Sequence, residues 1–258
     1  MRILVGTARL SFEGGIESYL LKILSFLKYH GHQVGLLYEQ GDHGARGAID
    51  FSAVDYLWHV GDSRDLTSAL QWKPDVCYSQ GLLNPKIESN LNSQIPTVFF
   101  SHTYHGTCIS GTKLRMFPAV SICPRAFDSV CLSLFFPMRC GGMNPLTTLR
   151  MFRDQRLRQK ILRQYRTICV ASRHMHSVMI QNGVSEEKVR LLPLFPTHGE
   201  PDPASPVPRP QTDKVLLAGR LTRLKGWTHL VPAIARASET LGRRVSLVVA
   251  GDGPDRLR

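Results

Sequence analysis

A basic segment bracketed by glycines could bind a phosphorylated ligand. The segment GRLTRLKG, residues 219–226, follows the apolar run KVLLA and precedes a helix-like stretch. Arg220 and Lys225 would then lie on a loop at the carboxyl end of a parallel strand, which is where α/β folds bind ligands. Guanidinium and ammonium groups placed there can hold two oxygens of a diphosphate. A basic surface loop without a ligand is the alternative.

Two further glycine loops stand at predicted strand ends. Gly14 and Gly15 lie between the first apolar run and the first helix, and Gly251 and Gly253 follow the apolar run SLVVA. Glycine lets the main chain approach an anion closely, and a helix N-terminus adds partial positive charge. For each loop, a tight turn with no ligand is the alternative.

Four of the six cysteines cluster in a stretch that contains several prolines and glycines. Cys108, Cys123, Cys131 and Cys140 could hold a structural zinc ion or an iron–sulfur cluster, although their spacing differs from the close ligand pairs of zinc ribbons. The alternative is that they bind no metal and pack as small hydrophobic residues. Because the start MRILVG carries no secretory signal, the thiols are expected to be reduced.

The elements that must position these residues follow a βα rhythm. Short apolar runs alternate with amphipathic helical segments, a pattern typical of a parallel α/β sheet. The first helix carries an apolar face from Ile16 to Leu27 and is predicted to end at Gly31. Further strands of the first half are predicted at residues 54–58, 75–79, 97–101, 168–172 and 189–192.

Length and proline content divide the chain into parts. Its 258 residues exceed a typical domain of about 150. Seven of the 16 prolines fall between residues 193 and 210, where they are incompatible with a central strand or a helix interior. We therefore predict a Rossmann-like domain at 1–195 with a cysteine-containing insertion at about 103–148, a linker at 196–213, and the start of a second Rossmann-like domain at 214–258.

The chain is basic, with a formal net charge of +12. Seven cations and one acid lie between Arg150 and Arg166 in a predicted helix with a partial apolar face. This helix could lie on an anionic membrane surface, or it could be a solvated helix packed on the first domain. No nucleic-acid-binding pattern accompanies the charge, so nucleic acid is not expected as a partner. No apolar run is long enough to span a bilayer, which favours a cytoplasmic chain.

Taken together, the motifs resemble those of the retaining glycosyltransferases of family four, which have the GT-B fold of two Rossmann-like domains. The resemblance rests on GGIES at 14–18, VASRHMHSVMIQNGVSEEKVRLLPLFP at 170–196, AGRLTRLKGW at 218–227 and VVAGDGP at 248–254. It covers nearly the whole chain. A nicotinamide-dependent dehydrogenase fits less well, because GGIES lacks the G-x-G-x-x-G fingerprint.

The resemblance implies roles for particular residues. His102, which ends the apolar run TVFFSH, would lie in the cleft near the donor sugar and the acceptor. A histidine that caps the end of a strand is the alternative. The donor-binding residues implied are Gly14, Gly15, Arg220, Lys225, Gly251 and Gly253. Of these, the two cations would hold the diphosphate, whose negative charge grows as it departs.

The resemblance also implies a reaction and its partners. A sugar would pass from a nucleotide-sugar donor to a glycan or lipid-linked acceptor with retention of configuration, in polysaccharide or cell-envelope biosynthesis. No cofactor or metal would be required for the transfer. The protein would be cytoplasmic, with a possible peripheral position at the inner face of the membrane.

One departure from the family pattern changes the expectation for this chain. The family carries a pair of glutamates, separated by seven residues, downstream of the GDGP-like loop, and the sequence ends before that point. We therefore expect the 258-residue chain to be truncated in its donor-binding domain and to be inactive, or nearly so, on its own. A non-catalytic binding or scaffold protein is the alternative function.

Overall fold

The structure, a computed structural model, describes residues 1–10, 15–41, 52–61, 66–194 and 213–256. The chain divides into two compact units, Met1–Gly199 and Glu200–Arg258. Apart from residue 213, the linker predicted at 196–213 lies outside the described residues.

The described elements alternate as the βα rhythm predicts. The strands are β1 (Arg2–Leu10), β2 (Gln33–Gly41), β3 (Tyr56–His59), β4 (Val76–Ser79), β5 (Thr97–Ser101), β6 (Leu114–Arg115), β7 (Ser121–Ile122), β8 (Thr167–Val170), β9 (Val189–Leu191), β10 (Lys214–Ala218) and β11 (Ser246–Ala250). The helices are α1 (Gly15–Tyr29), α2 (Leu66–Gln71), α3 (Pro85–Gln94), α4 (Val130–Phe135), α5 (Pro145–Gln164), α6 (Arg173–Gln181) and α7 (Trp227–Leu241).

Seven parallel strands form the sheet of the first unit, in the order β3-β2-β1-β4-β5-β8-β9. Their carboxyl ends therefore meet at one edge of the sheet. The strand predicted at 168–172 is shorter than expected. β8 ends at Val170 because Ser172 instead begins α6, its Oγ accepting a hydrogen bond from Met175 N at 3.2 Å.

Helices cover both faces of this sheet. Successive strand residues point to opposite faces, and accordingly Leu4 and Leu37 pack in one buried cluster with Ile87 of α3. On the other face, Val5 packs in a second cluster with Leu20 of α1. Burial of a strand on both faces is typical of a parallel sheet. As predicted, α1 is followed by Gly31, which adopts the left-handed conformation at φ 76°.

The basic helix predicted from the charge pattern is α5. It begins at Asn144, whose Oδ1 accepts from Thr147 N at 3.1 Å, and has proline in its first turn. Its C-terminal half buries Ile161 and Leu162 in a cluster of the first unit. The helix is therefore fixed to the sheet at one end, although most of its cations are exposed.

The insertion predicted at about 103–148 contains little regular structure. It holds the two-residue strands β6 and β7 and the short helix α4. Side-chain amides of α5 and of the C-terminal end of α6 fasten it to the rest of the unit: Gln155 to Gly106, Gln159 and Asn182 to Phe127, and Gln181 to Pro124.

The second unit has a parallel pair of strands, β10 and β11, joined through α7. α7 starts after Gly226 and ends before Gly242, and both glycines adopt the left-handed conformation, at φ 79° and 61°. Throughout the described parts of the chain, no helix is both long and apolar enough to span a bilayer.

Candidate functional site

A cavity of about 330 Å³ opens at the carboxyl ends of β4 and β5 in the first unit. Its walls come from elements far apart in the sequence. They include Ala8 and Ile16, the loop 80–83, His102, Thr103, His105, and residues of α5. Ile16 belongs to the GGIES motif, so the structure brings this residue of the motif to the same cavity as His102.

His102 lies directly after β5 and is packed against aromatic rings. Its ring is 4.7 Å from the ring of Phe100 and 5.4 Å, edge to face, from that of Tyr19. Its Nε2 atom is buried and has no hydrogen-bond partner among the residues that the structure describes. Burial lowers the pKa of His102 to about 4, so the imidazole is neutral at pH 7. It can therefore exchange a hydrogen bond with a ligand but supplies no positive charge.

Gln80 is the wall residue that the sequence did not single out. It follows β4 directly, and only 9% of its surface is exposed. Neither its Nε2 nor its Oε1 finds a hydrogen-bond partner in the described part of the chain. A buried polar group left in this state costs about 1–3 kcal/mol. In the sequence, the feature that could have identified Gln80 as a site residue is its position directly after the strand predicted at 75–79.

A buried ion pair supports the loop that carries Gln80. Arg158 Nη1 lies 2.7 Å from Glu88 Oε2, and Arg158 Nη2 donates to the carbonyl oxygens of Leu82 and Leu83, each at 2.6 Å. Tyr165 donates its hydroxyl proton to Glu88 Oε1 at 2.6 Å. Burial raises the pKa of Glu88, while Arg158 and Tyr165 act in the opposite direction. The loop is thus held from α3, α5 and the residue after α5.

His105 connects the cavity to the insertion. Gln155 of α5 lies with its Nε2 3.2 Å from His105 Nδ1, and its Oε1 accepts from Gly106 N at 2.5 Å. Desolvation and the nearby charge of Arg158 lower the pKa of His105, against the effect of the Gln155 hydrogen bond. The cavity therefore contains two histidines that favour the neutral form.

The first glycine motif is only partly described. Gly14 lies outside the described residues, and Gly15 is the first residue of α1. A Cβ added to Gly15 would find no heavy atom of the described residues within 4 Å, so none of these residues requires glycine there. Binding of donor phosphates by Gly14 and Gly15 stays a prediction.

In the second unit, the structure brings together the two predicted loops. Gly219 N donates to Ala250 O at 2.9 Å, and Leu221 N donates to Asp252 O at 2.8 Å. A Cβ on Gly251 would collide with Gly219 O, and one on Gly253 with Leu221 O. The glycines after β11 are therefore required for the close approach of the loop after β10.

The predicted cations belong to the first of these loops and the short helical turn after it. Arg220 and Lys225 are exposed, and Lys225 N donates to Thr222 O at 2.9 Å. Both lie beyond the carboxyl end of β10, as the sequence predicted. Exposed cations on a main chain that is held by a neighbouring loop can attract and bind an anion.

All four cysteines of the insertion line one small cavity of about 40 Å³. Their separations along the chain thus give no measure of their proximity in the fold. Within the described ranges, no three His, Cys, Asp or Glu side chains are gathered as a ready metal-ligating group. The other two cysteines, Cys77 and Cys169, are buried in β4 and β8.

Comparison with known proteins finds similar solved structures but no matching sequence family. No protein-family model matches the chain, and no curated protein matches it. The crystal structure of Anabaena Alr3699/HepE in complex with UDP and glucose is similar over 98% of this chain and 61% of its own, with a TM-score of 0.53 and 15% identity. A glycosyltransferase from Rickettsia africae ESF-5 is similar over 98% of this chain and 69% of its own, with a TM-score of 0.52 and 10% identity.

These likenesses establish the class of fold. The chain has an α/β fold of the GT-B type, and its first unit is built on a seven-stranded parallel sheet. It spans about three fifths of the length of the Anabaena protein. At such low sequence identity, the comparison extends to the fold and not to the activity.

Proposed function

We propose that the protein acts in sugar transfer from a nucleotide-sugar donor to a hydroxyl group of a glycan or lipid-linked acceptor. The observation that carries the proposal is the pair Gln80 and His102, whose buried polar atoms line the 330 Å³ cavity without partners among the described residues. Neutral amide and imidazole groups suit the hydroxyls of a sugar, each of which both donates and accepts. The GT-B fold, found in glycosyltransferases, supports this assignment.

In the proposed reaction, the acceptor oxygen forms a bond to the anomeric carbon while the bond to the diphosphate breaks. The hydroxyl proton leaves with the departing diphosphate, whose charge Arg220 and Lys225 would stabilise. His102, with a pKa near 4, is a weak base at neutral pH. We therefore assign it hydrogen bonding to a hydroxyl rather than removal of the proton. As the family resemblance implies, the transfer would retain configuration and require no metal.

The donor site is tested first by binding. Calorimetry of the full chain against nucleoside diphosphates and nucleotide sugars should show binding of at least one nucleoside diphosphate and of a nucleotide sugar that contains it. Arg220→Met with Lys225→Met should weaken it by about 10-fold or more, the value of one or two charged hydrogen bonds. Arg243→Met, which changes an exposed cation that pairs with Asp213, is the matched control. Absence of binding for every nucleotide sugar at millimolar concentration would reject the proposal.

The sugar cavity is tested by the part of affinity that the sugar supplies. Gln80→Leu and His102→Ala should leave the affinity for the free nucleoside diphosphate unchanged and reduce the affinity for the nucleotide sugar by about 10-fold or more, as for a lost hydrogen bond to a bound hydroxyl. Gln71→Leu at the end of α2 and His30→Ala after α1 are exposed controls. If both cavity variants behave like these controls, the cavity does not hold the sugar or the acceptor.

We also propose that the protein binds to an anionic membrane surface, and the residues at the start of α5 support this. Met143 and Leu146 are 66% and 80% exposed, and they precede Arg150 and Arg153, which line a surface depression together with Lys86. Apolar side chains beside cations match the interface of an anionic bilayer. Co-sedimentation with vesicles that contain anionic lipid should fall for Leu146→Ser with Arg150→Ser. Equal sedimentation with neutral vesicles would instead favour a protein that does not recognise the membrane charge.

A further inference from the structure

The four cysteines of the insertion line one cavity although they come from four places in it. Cys108 precedes β6, Cys123 follows β7, Cys131 lies in α4, and Cys140 follows α4. All four line the cavity of about 40 Å³. The rest of its lining is largely apolar, from Ile109, Leu114, Leu134, Phe135 and Met138. Convergence of every thiol of the insertion on one cavity exceeds what their use as scattered small hydrophobic residues requires.

The insertion has too small a core to hold its shape by burial alone. Its buried apolar residues are Ile109, Phe127 and Phe135. Its strands have two residues each, and α4 has six. Segments of this size with so few buried residues are commonly stabilised by disulfides or by a metal ion. The six cysteines are free thiols in the structure, so the four of the insertion are available as metal ligands.

The charges around the cavity match a bound tetrathiolate. Arg115 and Arg125 also line it. Arg125 donates through Nη2 to Asp128 Oδ2 at 3.1 Å, but its Nε is buried and, within the described ranges, has no hydrogen-bond partner. Four thiolates with one divalent ion carry a net charge of −2, and Arg115 and Arg125 offset part of it, since Arg125 is also paired with Asp128. An N–H group near a ligand sulfur is also the usual partner of a metal thiolate.

We propose that Cys108, Cys123, Cys131 and Cys140 bind a single zinc ion that cross-links the insertion. On binding, the four thiols release four protons to solvent and the zinc ion takes four sulfur ligands. The sulfurs must turn inward from their places on the cavity wall. Cys131 Sγ then gives up its contact with Ala126 O at 3.8 Å, and Cys108 Sγ its contact with Ser110 Oγ at 3.4 Å. The small cavity favours one ion over a larger iron–sulfur cluster.

The metal content of the full chain is the direct test. Protein purified without chelator, and protein reconstituted with zinc and then desalted, should contain about one zinc per chain by elemental analysis, with four thiols protected from a thiol reagent until the metal is removed. Cobalt should substitute and give thiolate charge-transfer absorption. Less than about one tenth of a zinc after reconstitution would overturn the proposal. Iron together with sulfide would overturn the choice of a single zinc ion.

Variants show whether the insertion holds the metal. Cys123→Ser and Cys131→Ser should each lose the zinc and lower the melting temperature of the protein. Cys169→Ser, at a buried cysteine of β8, is the matched control and should keep the zinc even if it lowers stability. Because a Ser variant could also unfold the insertion, the thiol protection of the unchanged protein is decisive. Equal zinc retention in all three variants would contradict the assignment.

Discussion

The two units place their candidate ligand groups in opposite environments. In the first unit, Gln80 and His102 are neutral at pH 7, largely buried and unpartnered among the described residues. In the second, Arg220 and Lys225 are charged and exposed on a main chain held by the neighbouring loop. Neutral buried groups discriminate between ligands because an unmatched ligand leaves them unpaired. Exposed cations attract any anion, and salt screens them.

This difference follows from the packing of the two sheets. The sheet of the first unit is covered on both faces, so residues at its carboxyl edge can be buried. In the second unit, Leu216 is 64% exposed, and no residue of α7, all of which the structure describes, is buried. The same βα rhythm in the sequence therefore gives two different degrees of burial. Four substitutions test whether the candidate ligand groups of the two units differ in stability and binding as this difference in burial predicts.

The largest effect should come from the buried ion pair beneath the loop of Gln80. Arg158→Met leaves Glu88 buried without its cation, and we expect the free energy of unfolding to fall by about 3–5 kcal/mol in urea denaturation. Arg156→Met, at an exposed residue of the same helix, should change it by no more than about 0.5 kcal/mol. Equal effects of Arg158→Met and Arg156→Met would show that the ion pair of Arg158 and Glu88 contributes no more to stability than an exposed side chain does.

The second effect is a pH dependence that arises from His102. Its pKa is about 4 in the folded protein, against 6.5 for an unperturbed histidine. Between these values the unfolded chain binds a proton that the folded chain does not, so stability falls as the pH falls from 6.5 to 4. The loss should reach about 2–3 kcal/mol for a ring with limited contact with water. In His102→Gln, denaturation at several pH values should show a flatter profile. An unchanged profile would mean that the ring is not desolvated.

The third effect concerns the loops of the second unit. Gly253→Ala places a methyl group against the main chain of Leu221, and we expect the two loops to separate at a cost of about 1–3 kcal/mol. Hydrogen exchange of Leu221 N, which donates to Asp252 O, would report the separation directly. Gly142→Ala, where an added Cβ meets no atom within 4 Å in the described part of the chain, is the control. Unchanged protection at Leu221 in Gly253→Ala would show that the close approach is not needed.

The smallest effect on stability should come from the exposed cations. Arg220→Met should change the free energy of unfolding by no more than about 0.5 kcal/mol, because the side chain is exposed. Its effect on diphosphate affinity should be largest at low salt and shrink as salt is added. A large loss of stability would show that Arg220 supports the fold. The candidate ligand groups of the two units would then not differ in their contribution to stability.

The sequence predicted local features well and long-range partnerships poorly. The strand at 97–101, the turn at Gly31 and the cations beyond β10 depend on neighbouring residues, and each is found where predicted. The GT-B type of the fold is confirmed as well. Arg158 and Glu88 are 70 residues apart, so no local pattern pairs them. Gln80 was missed because no local pattern shows that it lines a cavity together with residues of α5, far along the chain.

The cysteines also show that a local sequence pattern does not predict contacts between distant residues. Their spacing along the chain argued against a ribbon-like metal site, since it lacks close pairs. The fold nevertheless brings all four to one cavity, because β6, β7 and α4 double back within the insertion. Metal binding by these residues stays a prediction. Spacing is informative where ligands share a turn and uninformative where a compact loop gathers them.

The amide contacts that fasten the insertion have a consequence for how the protein can change over evolution. Gln155, Gln159, Gln181 and Asn182 attach it through side chains, while β5 pairs with β8 through the main chain in a register that does not involve it. The insertion is thus attached to the seven-stranded sheet without contributing a strand to it. Because β6 and β7 form a sheet of their own, we expect changes in the insertion to leave the strand order of the seven-stranded sheet unchanged while they reshape this wall of the cavity.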